Sequence, residues 1–281
     1  MQENVIIVNE NEFNKKLTEI KEGGLKNLHI IADFDKTLTT AEINGKGFKS
    51  VIALLREDDY LDKDYIEKAH ALYDKYHPFE NDPNLSFEEK YKKMESWWQE
   101  HLDLQVEKGL TKKVVDKLSQ DTKHKIEFRG GANEFLTLLE KQDIPLLVFS
   151  AGLGDVIQYF FEVQNVLYDN ISIISNFYDF DKTGNIKGYK GTIIHTYNKG
   201  EIAIAKDKHY SKIKEKKNVI LLGDSLGDVS MAGSLNHEAV LKIGFLSGDK
   251  DLGAYKKVYD VLVLNDGSLE FVTKLIKEII K

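Results

Sequence analysis

The sequence predicts an α/β fold, with a Rossmann-like, mostly parallel sheet as core and an all-helical cap inserted after the first core strand. Three observations carry that expectation. Short apolar runs alternate with amphipathic helical patterns, the rhythm of βαβ units. One long stretch, residues 41–126, breaks the rhythm and shows helical spacing without a convincing strand. Three of the apolar runs end in polar clusters, at the strand ends where open α/β sheets collect ligands.

The predicted strands are Leu28–Ala32, Pro145–Phe149, Ile171–Ile174, Val219–Leu222, Ala239–Ile243 and Val261–Leu264. Between them lie helices such as Ala132–Lys141, with Ala132, Phe135, Leu136 and Leu139 on one face. The final helix repeats that spacing through Leu269, Val272, Leu275, Ile276 and Ile279, behind Ser268 as a cap. In the inserted stretch the clearest helix starts at Ser86, with Glu89 completing a capping box and an apolar stripe of Phe87, Tyr91, Met94, Trp98 and Leu102. The predicted division is therefore a core of residues 1–40 and 127–281 and a helical cap of residues 41–126.

Composition narrows the chemistry. A chain of 281 residues with 42% hydrophobic and 30% charged residues suits a folded core with an insertion. A net charge of −7 argues against a nucleic-acid polymer as ligand, but leaves room for a small phosphate ester. Without cysteine there is no disulfide, Cys-ligated zinc or thiol nucleophile, and a reducing compartment is the simpler inference. The first residues carry no leader pattern and no apolar run is long enough to span a bilayer, so a cytoplasmic protein with no membrane partner is expected. A monomer is expected because no exposed heptad or repeated apolar patch is visible.

The polar clusters carry the function. Asp33-Phe34-Asp35-Lys36-Thr37 follows the first core strand; one Asp there can attack phosphorus while its neighbour moves a proton. Taken alone, such a pair is more often a turn than a site. Phe149-Ser150-Ala151-Gly152-Leu153-Gly154 follows a second strand and reads as a hydroxyl with a glycine-rich turn opening a helix, suited to phosphate oxygens. It lacks the third glycine of a dinucleotide-binding turn. Gly223-Asp224-Ser225-Leu226-Gly227-Asp228 follows a third strand, and two acids spaced in this way fit a Mg²⁺ site. A phosphoryl-transfer site needs a nucleophile, donors, a metal and a cation. The cation stays open among Lys190, Lys199, Lys206 and Lys208.

In this order the motifs resemble the haloacid dehalogenase superfamily of phosphatases. Together with His195-Thr196-Tyr197-Asn198-Lys199, Tyr76-His77-Pro78-Phe79-Glu80-Asn81-Asp82-Pro83 and Met94-Glu95-Ser96-Trp97-Trp98, they resemble its cytosolic 5′-nucleotidase type III (pyrimidine 5′-nucleotidase) family. The resemblance implies a Mg²⁺-dependent phosphatase that hydrolyses nucleoside 5′-monophosphates. Asp33 would be the nucleophile and Asp35 the acid and base; Ser150, with Ala151 and Gly152, and Lys199 would bind the phosphoryl group. Asp33, the Asp35 carbonyl and Asp224 would hold the metal, with Asp228 nearby. In the cap, Glu80 would contact the nucleoside, and Trp98 either stacks on the base or belongs to the cap core. The Trp97-Trp98 pair is closer to the subgroup acting on 7-methylguanosine monophosphate. His101 falls near a substrate contact where the family carries a small hydroxyl residue. The competing expectations are another capped phosphatase such as phosphoserine phosphatase, a serine esterase using Ser225 with His237, and a non-catalytic nucleotide-binding module.

Overall fold

The computed structural model describes residues 4–43, 46–47, 49–57, 59–80, 82, 84–122, 125–200, 210–233 and 236–281. In chain order the first half runs β1 (Val5–Ile7), α1 (Glu10–Gly23), β2 (Leu28–Ala32), β3 (Glu42–Ile43), β4 (Lys46–Gly47), α2 (Val51–Glu57), α3 (Lys63–Glu80), α4 (Phe87–Glu107), α5 (Lys112–Thr122) and α6 (Ala132–Lys141). The second half runs β5 (Leu146–Leu153), α7 (Gly154–Val163), β6 (Ile171–Asn176), β7 (Tyr178–Phe180), β8 (Ile186–Tyr189), α8 (Tyr210–Ile213), β9 (Asn218–Gly223), β10 (Ala239–Leu246), α9 (Leu252–Lys256), β11 (Val261–Leu264) and α10 (Glu270–Ile280).

All six predicted strands join one sheet of order β1-β11-β10-β9-β2-β5-β6, parallel except for β1 at the edge. Side chains alternate across it. Ile30 and Ala32 enter one buried cluster and Ile31 the other, so both faces are covered by apolar residues. Double coverage is why these strands read as unbroken apolar runs. The chain leaves β2 for β5 on one side and later places β9 on the other, making β2 the point where strand order reverses. Ligands bind beyond the carboxyl ends at such a point.

The inserted helices are not isolated from the sheet. Val51, Leu54, Tyr65, Leu102, Val115 and Leu118 share a continuous apolar cluster with Phe34, Val156 and Phe160. α4 has the expected capping box: Ser86 Oγ accepts the Glu89 N–H at 3.3 Å, and Glu89 Oε2 accepts the Ser86 N–H at 2.8 Å.

Several local expectations are corrected. The inserted stretch does contain strand, the two-residue pairing of β3 with β4, too short to leave a periodic signal. The edge strand β1 and the β7–β8 hairpin were likewise hidden by their length. Phe87 is 59% exposed rather than part of the buried stripe, because it sits in the first turn of α4, beyond the packed face. Leu269, not Ser268, occupies the capping position of α10; Ser268 Oγ only receives the Glu270 N–H at 3.3 Å. The Ser150 segment opens a helix only at its far end, Gly154, and not by a turn at residues 150–152. β5 runs on through Leu153, with a register shift between Phe149 and Leu153, and α7 starts only at Gly154. Continued pairing with β6 holds these residues extended, and the irregularity re-aims them.

Candidate active site

Asp33 continues the sheet by one bond: its N–H donates to the Leu222 carbonyl at 3.0 Å, carrying the carboxylate just past the end of β2. The chain then turns sharply, with Lys36 in the left-handed region at φ 61°, a conformation costing about 1–2 kcal/mol in a residue with a Cβ. Neighbouring groups fix the turn. Lys36 N–H donates to Thr39 Oγ1 at 2.8 Å, and the buried Arg129 guanidinium donates to the Lys36 and Thr37 carbonyls at 2.5 and 2.7 Å. Asp35 Oδ1 accepts the Val51 N–H at 3.2 Å, so the first residue of α2 rests on it.

At the end of β9, Asp228 folds back on its own loop, with Oδ2 accepting the N–H groups of Asp224 and Ser225 at 3.1 and 2.9 Å. Gly223 permits this approach: a Cβ there would lie 2.5 Å from Asp228 Cβ. Carboxylate oxygens of Asp33, Asp224 and Asp228 lie within 4.8 Å of one another. This oxygen-only set suits a hard divalent cation such as Mg²⁺.

Of the four lysines that local spacing leaves open, Lys199, the one the family resemblance implies, stands at this centre. Its Nζ donates to Asp33 Oδ1 at 2.5 Å and Asp228 Oδ1 at 3.0 Å, and the residue is 5% exposed. Lys190 is exposed, and Lys206 and Lys208 lie outside the described residues. From the other side β5 brings Ser150, 1% exposed, whose Oγ accepts the Gly152 N–H at 3.0 Å. A Cβ at Gly152 would lie 3.2 Å from Ser150 Oγ and 3.4 Å from Asp35 Oδ2, placing this backbone directly beside the Asp35 carboxyl.

Burial and crowding set the charges. Burial pushes Asp33 well above the ordinary carboxyl range, Lys199 opposes it, and Asp228, Asp224 and Asp35 push it further up. Burial likewise raises Asp35 to about 6, against the Val51 N–H and Lys199. Burial alone would lower Lys199, but Asp228 and Asp33 outweigh it and keep the ammonium charged. Lys250 Nζ caps the last acid, reaching Asp224 Oδ2 at 2.8 Å and its carbonyl at 2.6 Å. Among the described residues, the carboxyl groups of Asp33, Asp35, Asp224 and Asp228 thus outnumber the ammonium groups bonded to them, those of Lys199 and Lys250, and a divalent cation would offset that crowding.

Besides the Val51 N–H on Asp35, the cap meets this centre through Trp98 and Glu80. Trp98, 9% exposed, donates Nε1–H to the Ala151 carbonyl at 3.3 Å and packs with Tyr76, Met94 and Trp97. Pro78 interrupts the last turn of α3, and at the helix end Glu80 Oε1 accepts the Thr196 hydroxyl at 2.6 Å. The Tyr197 hydroxyl donates to the Glu80 carbonyl.

His101 lies deeper in the cap. It is 4% exposed and bonded through Nε2 to the Tyr65 hydroxyl at 2.9 Å, beside Gln105, which in turn accepts the Tyr178 hydroxyl at 3.0 Å. Burial, with a smaller push from Arg56, lowers it from 6.5 to about 3. Between those values only the unfolded chain takes up the proton, so this group's contribution to stability is lost as pH falls through the window. At pH 5 the expected loss is about 2 kcal/mol relative to pH 7, read from urea unfolding at the two pH values. His101→Gln should flatten the slope; an unchanged slope would remove His101 as its cause.

Among the described residues, no histidine stands beside Ser225 as a base. Its backbone N–H is held by Asp228 and its carbonyl by the Tyr259 hydroxyl at 2.5 Å. His237 packs at 5.4 Å against His29, which lies in β2 four residues before Asp33, about 13 Å along an extended strand. Arg129, Lys250 and Thr196 support the site but were not singled out from sequence. Each acts on a partner more than 20 residues away, and no local spacing marks such a pair.

A parallel sheet carrying this acidic centre at its reversal point, with helices inserted over it, defines a capped phosphohydrolase of the haloacid dehalogenase class. At the level of fold alone, the chain is similar to a phosphoserine phosphatase solved as a phospho-aspartyl intermediate analogue (TM-score 0.53, 20% identity, covering 88% of this chain and 97% of that one). A closer likeness is the crystal structure of cytosolic 5′-nucleotidase IIIB bound to cytidine, with TM-score 0.85 and 27% identity over 99% of this chain and 95% of that one. Residues 36–280 match the family model for pyrimidine 5′-nucleotidase (UMPH-1). The 7-methylguanosine phosphate-specific 5′-nucleotidase A of Xenopus laevis is 35% identical over 266 residues, covering 93% of this chain and 91% of the relative. The human 7-methylguanosine phosphate-specific 5′-nucleotidase is 33% identical over 264 residues, covering 93% and 87%. The putative cytosolic 5′-nucleotidase 3 of Caenorhabditis elegans is 31% identical over 284 residues, covering 98% and 75%. The chain belongs to the pyrimidine 5′-nucleotidase family and is an enzyme of that class, a hydrolase. No helix among the described residues is long and apolar enough to cross a membrane.

Proposed function

We propose that this protein hydrolyses nucleoside 5′-monophosphates, with pyrimidine or 7-methylguanine bases, to nucleoside and phosphate through an aspartyl-phosphate on Asp33, in the cytoplasm. The observation that carries the reading is the convergence of Asp33, Asp224 and Asp228 beyond the adjacent parallel strands β2 and β9, with Lys199 brought onto them from the segment after β8.

In this reading Asp33 attacks phosphorus, forming the O–P bond as the bond to the 5′-oxygen breaks. Asp35, raised to about 6, gives its proton to the leaving oxygen. It then takes a proton from the water that attacks the aspartyl-phosphate, releasing phosphate and restoring Asp33. The Lys199 ammonium and the Ser150 hydroxyl, beside the Ala151–Gly152 backbone, hold the phosphoryl oxygens. Asp33, Asp224 and Asp228, with the Asp35 carbonyl, would hold Mg²⁺, which supplies charge neutralisation for the phosphoryl group when bound. The division of labour follows the two segments: residues 1–40 and 127–281 carry the chemistry, and residues 41–126 carry base recognition. Glu80 would accept from the base, and Trp98 would offer its indole face. The buried His101 supports the cap behind them rather than meeting substrate directly.

Phosphate release from CMP, UMP, AMP, GMP and 7-methyl-GMP, measured with wild type and Trp98→Ala, tests this reading. Base stacking on an aromatic ring contributes about 1–3 kcal/mol, so the variant should lose about 10-fold in kcat/KM on the preferred bases and less on the others. An equal loss on every substrate would make Trp98 cap core. No release from any nucleotide by wild type would overturn the activity itself.

A further inference from the structure

The segment Ile193–Lys199 touches both halves of the site. At one end Lys199 Nζ binds Asp33 and Asp228. Three residues earlier, Thr196 Oγ1 donates to Glu80 Oε1 at 2.6 Å, and the Tyr197 hydroxyl donates to the Glu80 carbonyl. The segment is itself stiff. Asn198 accepts the His195 N–H at 2.7 Å through Oδ1 and donates to the Ile193 carbonyl at 2.7 Å through Nδ2. His195 Nδ1 accepts the Tyr197 N–H at 3.2 Å. Gly227, in the Asp224–Asp228 loop, packs against the same segment, since a Cβ there would lie 2.9 Å from Thr196 Cγ2.

A carboxylate at the end of a helix has free rotation about its last bonds. Selection among bases needs one orientation, because discrimination rests on which hydrogen-bonding groups are left unpaired by the wrong ligand. The Thr196 hydroxyl takes one Glu80 oxygen, and among the described residues nothing is bonded to Oε2. We propose that Thr196 is a positioning residue for base selection, pinning Glu80 so that its second oxygen faces the pairing edge of the nucleobase. It also ties that carboxylate to the segment that delivers Lys199. The inference rests on the nucleotidase reading and adds to it a residue that never touches the phosphate.

The test compares wild type, Thr196→Val, which removes the hydroxyl and keeps the shape, and Thr196→Ser, which restores it. Substrates are CMP, UMP, 7-methyl-GMP and base-less ribose 5-phosphate, all with saturating Mg²⁺. Loss of a hydrogen bond to a charged group should lower kcat/KM of Thr196→Val on the preferred nucleotide by about 10-fold. Turnover of ribose 5-phosphate should change by less than about 2-fold, and Thr196→Ser should stay within about 3-fold of wild type on all substrates. A matching loss on ribose 5-phosphate, or undiminished selectivity in Thr196→Val, would overturn the inference while wild-type nucleotide hydrolysis keeps the nucleotidase reading. Wild type that cleaves ribose 5-phosphate but no nucleotide would overturn both. A urea unfolding midpoint near that of wild type shows that the Val variant has folded.

Discussion

Asp33→Asn is expected to lower phosphate release by about 10⁴-fold or more, with the unfolding midpoint unchanged or raised. The two halves of that expectation come from the same geometry. The amide cannot form an acyl-phosphate with the substrate, and among the described residues the neighbouring carboxylates are held in other bonds. Asp35 is engaged by the Val51 N–H, while Asp228 is folded back onto the N–H groups of Asp224 and Ser225. For stability the sign is reversed. Burial and three neighbouring acids hold Asp33 well above the ordinary carboxyl range, so keeping it ionised in the fold is costly at neutral pH. An isosteric amide removes that cost, and Lys199 retains Asp228 as its partner. Phosphate release and a urea titration on the same preparation separate the cases. Near-normal turnover would sink the aspartyl-phosphate mechanism, and a large drop in stability would mean that Asp33 is a structural ion-pair member first.

Arg129→Met is expected to cost about 3–5 kcal/mol of stability, because it leaves a charge and several carbonyls without their buried partner. Arg129 is 2% exposed and lies over the Phe245 ring at 4.4 Å. Its guanidinium serves the carbonyls of Thr37, Lys36 and Gly267 at 2.7, 2.5 and 2.8 Å, and pairs with Asp266 at 2.8 Å. Asp266 in turn accepts the N–H groups of Ala41 and Glu42 at 2.8 and 3.2 Å, where the chain leaves the sheet for the inserted helices. Methionine fills similar volume but donates nothing. With the left-handed turn at Lys36 no longer braced, Asp33 and Asp35 lose their alignment, and kcat should fall by about 10²-fold at temperatures where the variant is still folded. Urea unfolding and steady-state kinetics at low temperature check the two effects. If both stay at wild-type values, the Asp33–Leu38 turn holds its shape without the clamp.

How far the sequence carried depended on the range of the interactions involved. Leu28–Ala32 and Val261–Leu264 are legible to the residue, because a strand covered on both faces is almost wholly apolar, His29 being the one polar residue of the two. Ala132–Lys141 was equally clear from its helical spacing. The Ser150 segment was located correctly and its shape misread. Glycines after a strand suggest a turn into a helix, whereas pairing with β6 keeps these residues extended to Leu153. Phe87 was misplaced because helical spacing says which residues share a face, not where along the helix the neighbouring structure stops.

By itself the sequence determined where six strands of the main sheet lie, where the long helical insertion interrupts them, and that three of these strands end in acids or a hydroxyl. These follow from local periodicity and from residue type. Only the tertiary structure decided that Lys199 is buried between Asp33 and Asp228, that Arg129 braces the turn at Lys36, and that Thr196 reaches Glu80. Those pairings join residues between 29 and 166 positions apart. Strand order and the packing of the inserted helices bring them together, and neither leaves a mark on the spacing of neighbouring residues.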